Sequence, residues 1–303
     1  MTPLERCRPA VRYSGPGAPR VVGRGLRVYL GACLRICPSA PPAASSTPPR
    51  ARTARSASTN ASTSAGTGSR TTLVELQKAG HQGVTRPEGP GVVGVGAQPP
   101  TAIGQRALLV RAPSGNVLWD MISYIDDDLI GAVADLGGVS AIAISHPHFY
   151  GSMIEWAHAF DAPVYIHGQD REWVARPDDS VIFWGGDTRE IGDGLTLVNA
   201  GVHFDGGQVL HWAAGPDGQG ALFSGDIFTV VQDRRWVSFM HSYPNLIPER
   251  PRTIRRALSL IAPLRFDRVY GAWWRRVVAG DGAAAVRRSA DRYLSFALDD
   301  DQP

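Results

Sequence analysis

The feature that most limits how this 303-residue chain can fold is an apolar stretch that ends on histidines. Val139-Ser140-Ala141-Ile142-Ala143-Ile144 reads as a buried strand, and it runs directly into Ser145-His146-Pro147-His148. Strand ends hand over to loops that carry reactive side chains on a rigid base. Side-chain direction along an extended segment has period two, so His146 and His148 are expected to face the same way and chelate one ion. Pro147 stiffens the link between them. A pair of surface or capping histidines is the plain alternative.

Two further segments carry the same kind of signal. Gly201-Val202-His203-Phe204-Asp205-Gly206-Gly207 lies between the expected strands 195–198 and 208–212. Its small residues allow close backbone approach, so His203 can reach a ligand. Leu222-Phe223-Ser224-Gly225-Asp226 is an apolar strand that leaves a carboxylate at its tip. Alone, these read as a Gly-rich hairpin and an ordinary turn. Together they give strand, His-x-His and helix, then about 55 residues to His203 and about 23 more to Asp226. Three imidazoles and a carboxylate suit a zinc-type ion.

In this order and spacing the chain resembles the metallo-β-lactamase superfamily over about residues 103–298. Asp120, after an early strand, matches the supporting carboxylate common there. The run Ile144 to Met153 resembles a bacterial subgroup of uncharacterised metallo-hydrolases. Gly207 to Trp212, Ser242-Tyr243-Pro244-Asn245 and Gly271-Ala272-Trp273-Trp274 fit the same subgroup. The resemblance implies an α+β fold, a four-layer αββα sandwich.

The departures are selective. The superfamily motif His-x-His-x-Asp-His has Tyr150 and Gly151 in its last two places here. The late Gly-His is replaced by Gly271-Ala272-Trp273. By the resemblance, those missing residues serve one metal of a two-metal site. The residues of the other, His146, His148 and His203, are present, and Asp226 matches the bridging carboxylate. The expectation is one zinc ion, with iron or manganese also compatible with the ligands. The implied activity is hydrolysis of a small ester, lactone, amide or thioester by a metal-activated water, with Asp226 orienting it or taking its proton. The competing readings are a metal-binding scaffold or sensor without turnover, and an iron-binding oxidoreductase.

Other residues carry weaker signals. Tyr150 can donate to a developing oxyanion or simply fill the vacated space. His241, Tyr243, Trp273 and Trp274 are candidate pocket walls, against a packing alternative. Glu155 and His158 lie one helical turn apart and read as a solvated pair. His167 and His211 read as structural.

Hydrophobic periodicity supplies the frame. Strands are expected at 107–110 and 117–119, with Asp120 closing the second, and at 139–144, 163–167, 195–198, 208–212, 221–224 and 268–270. Helices are expected at 71–79, at 126–136 with Asp126 as cap, and at 152–160, 251–261 and 283–298. Strand runs with occasional helices suit sheets packed together with helices outside. The metal domain is set at 105–298. Residues 71–104 are expected to be a linker with a short helix, its 80–105 portion a Gly/Pro-rich approach to the core, and 299–303 a tail.

Composition matters chiefly for residues 1–70. They hold eleven Arg, no Lys and one acidic residue, Glu5, whereas the whole chain has a formal charge of only +3. The remainder is therefore mildly acidic, which argues against a nucleic-acid-binding body. Stretches such as Ser45-Ser46-Thr47-Pro48-Pro49 bury too little apolar surface to offset chain entropy. The segment is expected to be a disordered extension, with a basic arm or a misplaced start as alternatives. Cys7, Cys33 and Cys37 all fall in it, so a disulfide framework for the core is excluded. No apolar run approaches a membrane span, and Arg24 and Arg27 interrupt the best signal-like stretch, Val21 to Cys33. The expectation is a cytoplasmic protein acting on a small molecule, with no nucleic-acid partner for the globular domain and no membrane partner.

Overall fold

The computed structural model describes residues 71–215 and 217–297. The expectations for segment 1–70 and its cysteines, and for 299–303, lie outside the described residues. The elements run α1 (Leu73–Lys78), β1 (Gln82–Gly89), β2 (Val92–Gln98), β3 (Ala107–Ala112), β4 (Gly115–Trp119), α2 (Asp127–Asp135) and β5 (Ala141–Ala143). A 3₁₀ turn (Pro147–Phe149) leads to α3 (Met153–Phe160), β6 (Val164–His167), a second 3₁₀ segment (Gly168–Trp173), β7 (Val181–Trp184), β8 (Thr188–Gly192) and β9 (Leu195–Asn199). Then come β10 (Gln208–Trp212), β11 (Ala221–Gly225), β12 (Thr229–Val230), β13 (Val237–Ser238), β14 (Met240–Ser242) and β15 (Ile247–Pro248). The chain closes with α4 (Pro251–Ile261), β16 (Arg268–Gly271), β17 (Val277–Val278) and α5 (Gly282–Ala297).

Strands β1 to β7 form one sheet in chain order, and the second sheet has the order β17-β16-β11-β10-β9-β8. Alternation along the strands explains why the sheets stack. Leu108, Val110, Val117, Trp119, Ala141 and Ala143 face Leu197, Leu210, Trp212, Phe223 and Tyr270 between the sheets. The intervening residues Leu109, Leu118 and Ile142 point outward, beneath Leu129 and Val133 of α2 and Trp156 of α3. On the far side Val198, Val209, Leu222 and Val269 lie beneath Ile254 and Ala257 of α4 and Val286 and Ala290 of α5. Three apolar layers between four structural layers make an αββα sandwich, because period-two patterning leaves both faces of each sheet to be covered.

Local signals set the helix starts. Asp126 accepts from Leu129 N at 2.8 Å, the capping role expected of it. Thr72 and Glu75 form a reciprocal capping box at the head of α1. Pro251 stands at the first turn of α4, where its missing N–H costs no helical bond.

One expectation is overturned. Residues 82–98 are not part of a linker: they are β1 and β2, paired from Gln82–Gln98 to Gly89–Val92 at the edge of the first sheet. Glycines that suggest a loop serve packing there. A Cβ on Gly96 would lie 2.5 Å from the Trp274 ring, and Gly94 also faces that ring. The strands β7 and β8 also exceed the expected set.

The sheets are joined at a polar point beneath the histidine corner. Gln208, fully buried on β10, donates through Nε2 to Ile144 O at 2.8 Å and Tyr165 O at 3.0 Å. Its Oε1 accepts from Trp184 Nε1 at 2.8 Å, and its backbone N–H reaches Ser145 O at 2.9 Å.

Candidate metal centre

The candidate residues come from loops that follow β4, β5, β9 and β11. His146 is extended and opens the 3₁₀ turn Pro147–Phe149. The two corner histidines therefore do not converge by strand alternation, as the spacing suggested. The turn swings His148 back so that the two rings stand 4.9 Å apart, edge to face. Proline's fixed φ suits the first position of such a turn. His203 comes from the β9–β10 connection with a left-handed backbone, φ 68°. Asp226 follows Gly225 at the end of β11. Gly225 has φ +57°, and a Cβ there would lie 2.6 Å from Ser145 Oγ and 2.8 Å from Asp120 Oδ2. Only glycine lets this strand tip approach the histidine corner so closely.

Each of His146, His148, His203 and Asp226 presents a ligand atom within 4.8 Å of the others. His148 is half-buried and the other three are buried, so the cluster meets solvent on the His148 side. Phe204 packs against all three imidazoles, at 5.6 Å from His146, 5.1 Å from His148 and 4.7 Å from His203. Phe149 covers His146 at 4.5 Å.

The hydrogen bonds fix which atoms face inward. His203 Nδ1 donates to His241 O at 3.0 Å, which leaves Nε2 as a lone pair, 3.2 Å from His148 Nδ1. His146 Nδ1 is engaged by Ser145 Oγ at 2.8 Å, while its buried Nε2 has no protein partner. Asp226 Oδ1 lies 3.2 Å from His146 Nδ1 but makes no aligned hydrogen bond, and it too is buried and unpartnered. Buried polar atoms are nearly always satisfied. Facing imidazole nitrogens beside an orphaned carboxylate oxygen are what a bound cation would satisfy, so this donor set fits a zinc-type ion.

The electrostatics agree. Burial, and then the neighbouring histidines, hold His146 well below the usual imidazole range. His203 is held low by burial and then by His148. Burial alone takes His148 down to about 4. All three are therefore neutral at pH 7, the form that binds metal. Asp226 is pushed well above the carboxylate range by burial and by Asp120. Asp120 is raised to about 7 by burial, against the lowering effect of the Ser145 hydrogen bonds and of Arg106. A cation in the cluster would reverse the penalty on both acids.

Asp120 stands behind the ligands, where its Oδ1 accepts from Ser145 N at 2.7 Å. Tyr243 packs its ring on His203 at 5.2 Å, and its hydroxyl donates to Asp226 O at 2.7 Å. His241 contributes its carbonyl to His203, while its ring sits 3.9 Å from Glu249. Tyr150 caps the 3₁₀ turn and is buried in the core cluster that includes Met153 and Trp156 of α3. Trp273 packs against that same core and donates to Ile103 O at 3.1 Å. Trp274 lies over β2, with Arg86 5.0 Å from its ring centre. Glu155 and His158 do not pair with each other: Glu155 holds Arg176 through both oxygens, at 2.6 and 2.7 Å, and His158 meets Asp178. His167 caps the second 3₁₀ segment, and His211 donates to Arg265 O at 2.9 Å.

Three contributors are not singled out in the sequence. Glu249 accepts from His203 N, and Asp170 accepts from Gly206 N at the other end of the same loop. Phe204 adjoins His203, but only the fold shows that it touches all three rings.

No protein-family model matches the chain. The sandwich is the fold of the metallo-β-lactamase superfamily. The crystal structure of VMB-1 superposes on it with a TM-score of 0.52 and 15% identity, over 72% of this chain and 99% of that one. MEM-A1, a subclass B3 metallo-β-lactamase from a soil metagenome library, aligns with a TM-score of 0.47 and 18% identity, over 71% and 93% of the two chains. At 15% identity the likeness to VMB-1 speaks for the fold alone.

In sequence the chain is far closer to YmaE, an uncharacterised protein of Bacillus subtilis (strain 168). The two are 45% identical over 225 residues, which is 74% of this chain and 82% of YmaE. The chain belongs to the YmaE family.

Proposed function

We propose that the protein is a metal-dependent hydrolase that holds one zinc-type ion on His146, His148 and His203, with Asp226 beside it. Its substrate is a small ester, lactone, amide or thioester. The observation that carries this reading is the cluster of four ligand groups in which His146 Nε2 and Asp226 Oδ1 are buried without a protein partner.

A bound zinc ion supplies Lewis acidity and a water whose pKa falls to about 7. The chain's own residues supply the rest. The His241 carbonyl fixes the His203 tautomer, so the ring presents Nε2 inward. Ser145 Oγ holds the His146 ring through Nδ1, which leaves Nε2 for the ion. Asp226 Oδ1 has no competing hydrogen bond, so it is the atom to orient the attacking water and take its proton. Phe204 and Phe149 wall the histidines with apolar surface and exclude bulk water. We also place the protein in the cytoplasm: the metal domain has no cysteine, and no helix of the described residues is long and apolar enough to cross a membrane.

Metal analysis combined with a panel of esters, lactones and β-lactams, on wild type and His148→Ala, tests the proposal. One ion per chain and hydrolysis lost in the variant are expected. Two ions per chain would overturn the single-ion site, and hydrolysis that survives His148→Ala would overturn the site itself. Full metal occupancy without turnover on any substrate would favour a metal-binding scaffold.

A further inference from the structure

We propose that Glu249 is a positioning residue of the metal site, holding His203 in the backbone geometry from which its Nε2 reaches the ion. The inference rests on the reading of His203 as a ligand. A left-handed φ of 68° is sparsely populated for histidine and persists only where the surroundings enforce it. Two hydrogen bonds do so. The His203 backbone N–H donates to Glu249 Oε2 at 3.0 Å, and its Nδ1 donates to His241 O at 3.0 Å. Both acceptors belong to one unit, the β14–β15 hairpin and the residue that follows it.

The carboxylate is used in full. Glu249 Oε1 accepts from Arg250 N at 2.8 Å, so each oxygen serves one backbone N–H. Only an acceptor-only group satisfies both donors, since an amide offers one oxygen and turns its NH₂ toward the other. Glu249 is buried and anchored in turn, its carbonyl accepting from Tyr293 Oη of α5 at 2.8 Å. The charge sits at the start of α4, where the helix dipole favours an anion. The far end of the loop has its own anchor, the bond from Gly206 N to Asp170 Oδ1 at 2.8 Å. Loss of Glu249 therefore releases the His203 backbone N–H while the loop stays attached.

The test is cobalt(II) titration of the full-length protein, read by visible absorption, with zinc competition and a thermal melt. Wild type is compared with Glu249→Ala, Glu249→Gln and His203→Ala. Groups that orient a metal ligand typically contribute about 10- to 100-fold in affinity. Glu249→Ala is expected to weaken cobalt binding by about that factor and to shift the absorption band. Glu249→Gln should fall between it and wild type. A folded Glu249→Ala with wild-type affinity and band, alongside a His203→Ala that loses the metal, would overturn this inference alone. Unchanged binding in His203→Ala would overturn the ligand reading beneath it. Should Glu249→Ala fail to fold, Glu249→Gln decides, and wild-type binding in it overturns the proposal.

Discussion

The Gln208 side chain, on the second sheet, donates to the carbonyl of Ile144, the residue that follows β5 of the first, at 2.8 Å. Ile144 is two residues before His146, so this bond ties the sheet carrying the histidine corner to the sheet carrying Asp226. The same amide also serves Tyr165 O and Trp184 Nε1. Removing it strands three buried groups at once. Gln208→Ala should lower unfolding stability by about 3 kcal/mol, each unsatisfied buried group costing about 1–3 kcal/mol and the losses not being additive. Gln208→Glu should be no better, because it aims a carboxylate at two carbonyl oxygens. Urea unfolding of the three proteins checks both.

Metal should stabilise the fold by linkage. At a zinc concentration 100 times its Kd, the gain is about 2.7 kcal/mol. The expected outcome is a melting temperature that rises with zinc and falls back with a chelator, and a His148→Ala variant that no longer responds. Differential scanning fluorimetry across a zinc series measures it.

Gly225→Ala should damage both stability and metal binding. The left-handed φ of +57° costs an L-residue about 1–2 kcal/mol, before the collision of the new Cβ with Ser145 Oγ and Asp120 Oδ2. Because Asp226 is the next residue, the strand tip can relieve the collision only by withdrawing the carboxylate. Bound metal per chain, measured with chemical denaturation, should fall together with stability.

Asp170 should make stability depend on pH. Burial raises it to about 7, offset in part by the Gly206 N–H, with Asp205 and Glu172 adding to the rise. Between its unfolded value near 3.8 and about 7, the folded protein holds a proton that the unfolded chain has released. This group's contribution therefore falls as pH rises through that window, by up to about 4 kcal/mol at 1.36 kcal/mol per pH unit. Asp170→Asn cannot ionise, so its stability relative to wild type should improve from pH 5 to pH 8. Paired denaturation curves at the two values read the difference.

Much of this molecule was legible in the chain where local pattern and tertiary need coincide. The strand Gln208–Trp212 and the helix Pro251–Ile261 were expected with the bounds they have. In the first, Val209, Leu210 and Trp212 are apolar and all five residues are buried, which fits a strand covered on both faces. In the second, Pro251 starts the helix and Ile254, Ala257 and Ile261 recur on its buried side. The β1–β2 hairpin was not legible. Its glycines lower strand propensity, and the reason for them, the Trp274 ring that lies across β2, comes from about 180 residues further along the chain.

The sequence by itself determined the types and order of the candidate ligands, and the strand runs with occasional helices that suit packed sheets with helices outside. These follow from covalent connectivity and side-chain direction, which are local. Only the tertiary structure decided how the ligands meet. His146 and His148 converge through a 3₁₀ turn and not an extended strand, and His203 takes a left-handed backbone set by Glu249, 46 residues away. Glu249, Asp170 and Gln208 act through hydrogen bonds to distant backbone groups, and a backbone N–H or carbonyl carries no mark in the sequence of what it will bond.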